Sequence, residues 1–334
     1  MDKTENTIRI ILSSLREFFR EENVYDEEDV SHDFGNWATV EGVLQHFKVK
    51  SYYTHLFRDL IESFNGKEFF ESFNPKYYKY FNTEKDINTI FFTKDMKYSI
   101  KMIRKIEKKN FDNFYQKYFD YMNSNPDTKI AKILGLFKID RQKTKSFYFI
   151  VMENILPKNY TISEIYDLKG STYKRMSTNF NIKKDLDWIR NNKTIEKSVY
   201  EKVSKIIDRD TSFLQQNSLM DYSLLVISLK RDSLGADVLK IGALDGKGSA
   251  NSNGLAKKFD DISLYEKGGI KLNEEPLSTV YFIGIIDIMT KYDFVKRSED
   301  IFKTAICQKN KSCVNPSKYK QRLLDFLKVS VKEE

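Results

Sequence analysis

Stretches whose apolar residues recur every three or four positions alternate along the chain with shorter runs that are apolar almost throughout. Residues 4–20, "TENTIRIILSSLREFFR", carry Ile8, Ile11, Leu12, Leu15, Phe18 and Phe19 at helical spacing. "SYYTHLFRDLIESF" (51–64) repeats the pattern, with Ser51 as the expected N-cap and the following "NG" as a stop. Phe111, Phe114, Tyr115, Tyr118, Phe119 and Met122 predict one helix over 108–123. Before it, "TIFFTKDMKYSIKMI" (89–103) predicts a β-hairpin whose second strand alternates around Lys101. "SFYFIVMENIL" (146–156) predicts a buried strand ending at Pro157, and "ISEIYDLKG" the next strand. Residues 196–216 predict a helix with Val199, Val203, Ile206 and Ile207 inward, followed by a buried strand, "YSLLVISL" (222–229).

Residues 231–277 break the pattern. Their "GALDGKGSANSNGLAKK" is rich in glycine, serine and asparagine and predicts a long flexible excursion. "TVYFIGIIDIMT" (279–290) returns to the core. The order of elements predicts an α+β fold with two lobes meeting near residues 154–158, and no internal repeat.

Composition narrows the function. With 334 residues, 40% of them hydrophobic and 31% charged, the chain is long and apolar enough to fold as a globular protein. Cys307 and Cys313 are too few for a disulfide framework or a four-thiolate zinc site, which points to a reducing compartment. Arg9, Arg16 and Glu17 interrupt the N-terminal apolar residues, so no signal peptide is expected, and no run is long enough to span a bilayer. The only histidines, His32, His46 and His55, lie near the N-terminus, which leaves little for imidazole chemistry. Net charge is +8. Residues 291–322 hold nine Lys or Arg against three acids, a surplus of six that suits an anionic membrane or nucleic acid. No nucleic-acid-binding signature accompanies it.

Asp221 stands immediately before an apolar strand and Asp287 inside another, where an ionised carboxylate costs several kcal/mol unless paired or bound to metal. With Lys101 on the hairpin they form the minimum kit for phosphoryl transfer: a lysine for nucleotide phosphates, an acid to orient the attacking hydroxyl, an acid to hold magnesium. "YDLKGSTYKR" (166–175) adds an acid, a glycine and three cations within ten residues, a composition suited to gripping phosphate.

Taken together, "YDLKGSTYKR", "DRDTSFLQQNSLMDYSLLV", "YFIGIIDIMTKYD" and "NPSKYKQRLLDFL" resemble the phosphatidylinositol phosphate kinase family, over roughly residues 47–327. The resemblance implies a two-lobed lipid-kinase fold related to protein kinases. An N-terminal helical extension (1–46) would precede an antiparallel N-lobe (47–155). The C-lobe (156–334) would carry the flexible insert and an activation and specificity loop (288–315). ATP and Mg2+ are the implied cofactors. Lys101 matches the ATP-phosphate lysine, with Asn88 and Thr89 in the phosphate loop. Glu153, Asn154, Ile155 and Leu156 match the hinge that offers backbone groups to the base. Asp221 matches the acid that takes the inositol hydroxyl's proton, and Asp287 the magnesium ligand. Lys169 is expected to reach the transferred phosphate, with Gly170 allowing close backbone approach and Asp167 fixing the turn. Arg175 and Lys174 are expected at the lipid headgroup's phosphate, and Asp210 is expected to brace the catalytic loop.

Two positions depart from the family pattern. The phosphate loop, "EKDINTIFF", contains no glycine, and the helix acid pairing Lys101 is ambiguous between Asn113 and its neighbour Asp112, which is preferred. In the specificity loop, aligned on the basic pair Lys296-Arg297, Glu299 and Lys303 resemble the type I, 5-kinase pattern, whereas "NPSKYKQRLLDF" is closer to type II. The resemblance therefore implies a phosphatidylinositol 4-phosphate 5-kinase. The alternatives are a 5-phosphate 4-kinase and a catalytically weak phosphoinositide-binding scaffold. The basic segment implies a peripheral protein on the cytoplasmic face of an anionic membrane, most readily the plasma membrane. Homodimerisation stays open.

Overall fold

In the computed structural model, the described residues are 10–12, 15, 31–32, 38–40, 43–45, 47–62, 69, 72–73, 78–81, 90–93, 95–141, 144–155, 162–178, 182–230, 279–292 and 314–331. They fall in two compact units, one of residues 1–126 with 131–154, the other of 127–130 with 155–334. The fold is α+β, with one main sheet in each unit and helices against both.

The first unit is built on an antiparallel sheet. Its strands are β1 (Ser31–His32), β4 (Phe47–Tyr52), β5 (Tyr78–Phe81), β6 (Ile90–Thr93), β7 (Tyr98–Ile103), β8 (Ile133–Arg141) and β9 (Thr144–Glu153), in the order β1-β4-β8-β9-β7-β6-β5. A separate ribbon pairs β2 (Ala38–Val40) with β3 (Val43–Gln45). The expected hairpin is β6–β7, and Asp95 holds its turn. The carboxylate accepts from Thr93 Oγ1 at 2.6 Å, Ser72 Oγ at 2.5 Å and the Lys97 amide at 3.1 Å. Burial raises the Asp95 pKa, but those donors outweigh it and hold the group below its ordinary value.

Two helix expectations are corrected. Ser51 lies in β4, and the helix begins three residues later as α1 (Thr54–Glu62), with Thr54 Oγ1 donating to Ser51 Oγ at 3.0 Å. The single helix expected over 108–123 is two, α2 (Lys105–Asp112) and α3 (Tyr115–Ser124). Asn113 ends the first by donating its side chain to the Lys109 carbonyl, and Phe114 then leaves helical geometry at φ −139°. The break lets Phe111, Phe114 and Tyr118 pack edge to face while Tyr115 stacks on Tyr53 at 4.3 Å.

The second unit carries a mixed sheet of β10 (Ile162–Leu168), β11 (Lys183–Lys184), β12 (Ser223–Lys230) and β13 (Thr279–Ile286), ordered β11-β10-β12-β13. Only β10–β11 is parallel. Ile162, Ile165, Ile227, Leu229 and Phe282 bury one face, with Ile155 and Leu225 against them. The helices are α4 (Asp185–Arg190), α5 (Lys197–Gln216) and α6 (Pro316–Val329). In α5, Val199, Val203 and Ile207 are buried as expected. The sequence "NPSK" starts α6, because the Asn315 side chain caps the Lys318 amide at 2.8 Å and Pro316 occupies the first turn. No helix among the described residues is long and apolar enough to cross a membrane. The 231–277 excursion lies outside the described residues.

Candidate active site

Strand register gathers the chemistry at one end of the second unit's sheet. Leu168 pairs with Leu224 and Ser223 with Ile286, so Lys169, Asp221 and Asp287 all emerge at that end. Beyond it the two strands continue as irregular pairing. Met220 donates to the Thr290 carbonyl at 2.9 Å, Tyr292 donates to the Ser218 carbonyl at 2.8 Å, and Leu219 bridges Lys291. Residues 220–222 thus face residues 287–290, with one extra residue on the second side. Asp221 (φ 61°) and Asp287 (φ 66°) absorb the mismatch in left-handed backbone, which aspartate tolerates better than most residues.

Lys169 closes on Asp221. Its Nζ donates to Asp221 Oδ1 at 2.7 Å and to the Asp221 carbonyl at 2.7 Å. The Lys169 side chain is 14% exposed and that of Asp221 35%, so solvent reaches the acid while its partner is largely covered. Asp287 corrects the expectation of an acid inside a strand: β13 ends at Ile286, and Asp287 is exposed.

The stretch 166–175 is organised by an acid that the sequence reading did not single out. Asp185, fully buried at the start of α4, accepts from the Lys169 amide at 2.9 Å, the Ser171 amide at 3.1 Å and Arg175 Nε at 2.7 Å. Arg175 also donates through Nη2 to Asp167 Oδ1 at 2.6 Å and to the Asp167 carbonyl at 2.5 Å. Burial lowers the Arg175 pKa, but Asp167 and Asp185 outweigh it and hold the guanidinium above its ordinary value. Arg175 therefore ties the turn together from within. Lys174 is exposed, in left-handed backbone (φ 53°), with its ammonium 5.4 Å from the Tyr173 ring centroid.

Gly170 is packed just as closely. At φ +65°, a Cβ there would meet the Arg322 carbonyl oxygen at 2.8 Å and Leu323 Cα at 2.9 Å. The close approach it permits is to the backbone of α6. Asp210 is buried as a structural residue, but its Oδ2 accepts from the Lys129 amide at 2.6 Å, so it fastens residues 127–130 to α5. Arg209 adds an ion pair to Asp127 at 2.9 Å.

In the first unit, Lys101 sits partly exposed in β7, paired with Ile90 and Ile150. The Glu153 amide donates to the Lys132 carbonyl at 2.8 Å and the Asn154 amide to the Lys97 carbonyl at 2.9 Å. Neither has an amide to offer a nucleotide base. The Asn154 side chain donates to the Met96 carbonyl at 2.7 Å. Asp112 accepts from Lys108 Nζ at 2.9 Å and from the Tyr53 hydroxyl at 2.5 Å, so those two groups, not Lys101, are the partners found for it. In the second unit, Ile155 packs against the sheet cluster. Asn88, Thr89, Leu156, Lys296, Arg297, Glu299 and Lys303 lie outside the described residues.

Among the described residues no group of three potential metal ligands stands together. Two aspartates at one sheet end are nonetheless a donor set that suits Mg2+, a hard cation satisfied by one or two carboxylates when phosphates and waters complete its shell.

Comparison with known proteins bears on the family of the chain. A family model described as phosphatidylinositol-4-phosphate 5-kinase matches residues 72–330. A probable phosphatidylinositol phosphate kinase of Dictyostelium discoideum is 28% identical over 286 residues, covering 71% of this chain and 40% of its own. A phosphatidylinositol 4-phosphate 5-kinase of Schizosaccharomyces pombe is 26% identical over 343 residues, covering 86% and 46%. The human phosphatidylinositol 5-phosphate 4-kinase type-2 alpha is 29% identical over 324 residues, covering 86% and 79%. The chain spans less than half the length of the first two.

Proposed function

Because the chain belongs to the phosphatidylinositol phosphate kinase family, we propose that it transfers the γ-phosphoryl of ATP to the inositol ring of a phosphatidylinositol monophosphate. The observation that carries this reading is the contact of Lys169 with Asp221, made at the sheet end from which Asp287 also emerges. The ring hydroxyl oxygen attacks the γ-phosphorus. The bond from that phosphorus to the bridging oxygen of ADP breaks, and the hydroxyl proton passes to the Asp221 carboxylate. Lys169, already fixed beside that carboxylate, neutralises charge on the oxygens in transfer. Asp287 is the residue that would hold Mg2+, which supplies further neutralisation of the phosphates. Lys101 is assigned to the nucleotide phosphates by its match to the family.

The finer reading is phosphorylation of phosphatidylinositol 4-phosphate at the 5-hydroxyl, favoured by Glu299 in the specificity loop. A second reading, the 5-phosphate 4-kinase, is favoured by "NPSKYKQRLLDF" and by the long match to the human type-2 enzyme. The basic surplus of residues 291–322 supports work at an anionic leaflet, where each nearby Lys or Arg contributes about 1 kcal/mol. Labelled ATP with vesicles carrying either monophosphate isomer tests all of this. The expected result is label at the 5-position of the 4-phosphate lipid, with Asp221→Asn reducing turnover roughly 10²–10⁴-fold and leaving the fold intact. Preference for the 5-phosphate isomer selects the second reading. Vesicle binding without turnover on either isomer makes the chain a lipid-binding scaffold.

A further inference from the structure

On the phosphoryl-transfer reading above, we propose that α6 positions the catalytic pair, with Tyr319 and Arg322 as its two positioning residues. The Tyr319 hydroxyl donates to the main-chain carbonyl of Tyr222, the residue directly after Asp221. Arg322 Nη2 donates to the main-chain carbonyl of Lys169 at 3.2 Å. One turn of one helix therefore holds the backbone beside each member of the Lys169–Asp221 pair. Gly170 packs against the backbone of the same turn, so the contact is steric as well as polar.

The two residues support each other. Tyr319 is fully buried, with its ring edge to face against Tyr222 at 4.7 Å and the Arg322 guanidinium 5.0 Å from its centroid. Burial lowers the Arg322 pKa, and Tyr319, Asp185 and Asp221 oppose that shift. Both donors act on carbonyls, which leaves the Asp221 carboxylate and the Lys169 ammonium to their own chemistry.

The helix is also anchored independently. Lys320 reaches across to α5, pairing with Asp208 at 2.8 Å and Ser212 Oγ at 2.6 Å. The Asn315 cap fixes its start, and the Ser330 carbonyl beyond its end accepts from the Ile195 amide at 2.7 Å. A rigid element fixed elsewhere is suited to hold two loops in register. Asp221 in particular sits in left-handed backbone between the irregular pairing at Leu219 and the start of the regular ladder at Ser223, and is itself in neither.

Steady-state kinetics with vesicle-borne phosphatidylinositol 4-phosphate test the assignment. Tyr319→Phe removes only the hydroxyl, and Arg322→Met removes the donor and the charge. Each is expected to lower kcat about 10–100-fold, the cost of a misplacement near 1 Å, with KM for ATP and lipid unchanged within about twofold. Arg322→Lys is expected to recover part of the loss, because an ammonium can still donate to the Lys169 carbonyl. Lys320→Met breaks the α5–α6 ion pair and is expected to lower the melting temperature while leaving kcat in place. Normal kcat in both Tyr319→Phe and Arg322→Met overturns the proposal. So does a kcat loss that follows melting temperature across all four variants. Should the wild-type chain not turn over at all, the phosphoryl-transfer reading fails instead.

Discussion

Lys169 holds Asp221 at two atoms, the carboxylate Oδ1 and the main-chain carbonyl, both at 2.7 Å. A lysine that paired only with the carboxylate would be a simple counter-ion. Binding the carbonyl as well fixes the backbone of the residue proposed to take the hydroxyl proton. Lys169→Met is therefore expected to lower kcat roughly 10²–10³-fold, the range for losing one preorganised donor. Its effect on stability should stay below about 1 kcal/mol, since the Asp221 carboxylate is a third exposed and solvent can replace its partner. Parallel turnover and denaturation measurements check this; a large stability loss with normal turnover would reverse the assignment.

Asp185 is expected to matter more for stability than either Lys169 or Asp221. Its carboxylate is fully buried and accepts from two amides and a guanidinium. Asp185→Asn keeps the shape but removes the charge facing Arg175. Breaking a buried pair on one side typically costs about 3–5 kcal/mol, and the midpoint of urea unfolding should fall accordingly. Lys169 would lose its turn, so activity is expected to fall in the fraction that remains folded.

Much of the fold is legible in the sequence because its strands are local events. "TIFFTKDMKYSIKMI" and "YSLLVISL" are apolar runs long enough for strands, and both fold as such. The break between α2 and α3 is not legible, because the aromatic residues from 111 to 122 fit one continuous helical face. The Asn113 side chain closes the first helix, and Tyr53, distant in sequence, stacks on Tyr115 at the start of the second. The site divides in the same way. Asp221 and Asp287 stand out as acids against apolar runs. The burial of Asp185 depends on β11 joining the edge of β10 and is invisible locally. The pairing of Arg175 is hidden for the same reason: its two acid partners come from opposite sides of its own turn.

Gly170 is expected to tolerate no side chain. Alanine there must adopt φ +65° and place its Cβ under 3.0 Å from backbone atoms of Arg322 and Leu323. The left-handed conformation costs about 1–2 kcal/mol, and the backbone shift adds about 1–3 kcal/mol. Gly170→Ala should lower both the melting temperature and kcat, because the helix displaced is the one that reaches Lys169 and Tyr222. A variant that melts and turns over like the parent chain would show that α6 yields easily.

Glu164 supplies a pH dependence away from the catalytic pair. Its carboxylate pairs with Lys183 at 2.7 Å and Lys193 at 2.6 Å. Burial raises its pKa, but those two ammoniums outweigh it and hold the group below its ordinary value of 4.5. A depressed carboxylate contributes its stability above the ordinary value and loses it as pH falls through the folded one. The chain should therefore lose stability on acidification below about pH 4.5, and Glu164→Gln should flatten that part of the curve. At neutral pH the same variant should be less stable by about 1 kcal/mol, since two partly exposed pairs are lost. Denaturation midpoints taken from pH 7 down into the acid range measure both effects. An unchanged acid slope in Glu164→Gln would place the titration on other carboxylates, such as Asp95, whose pKa is also lowered.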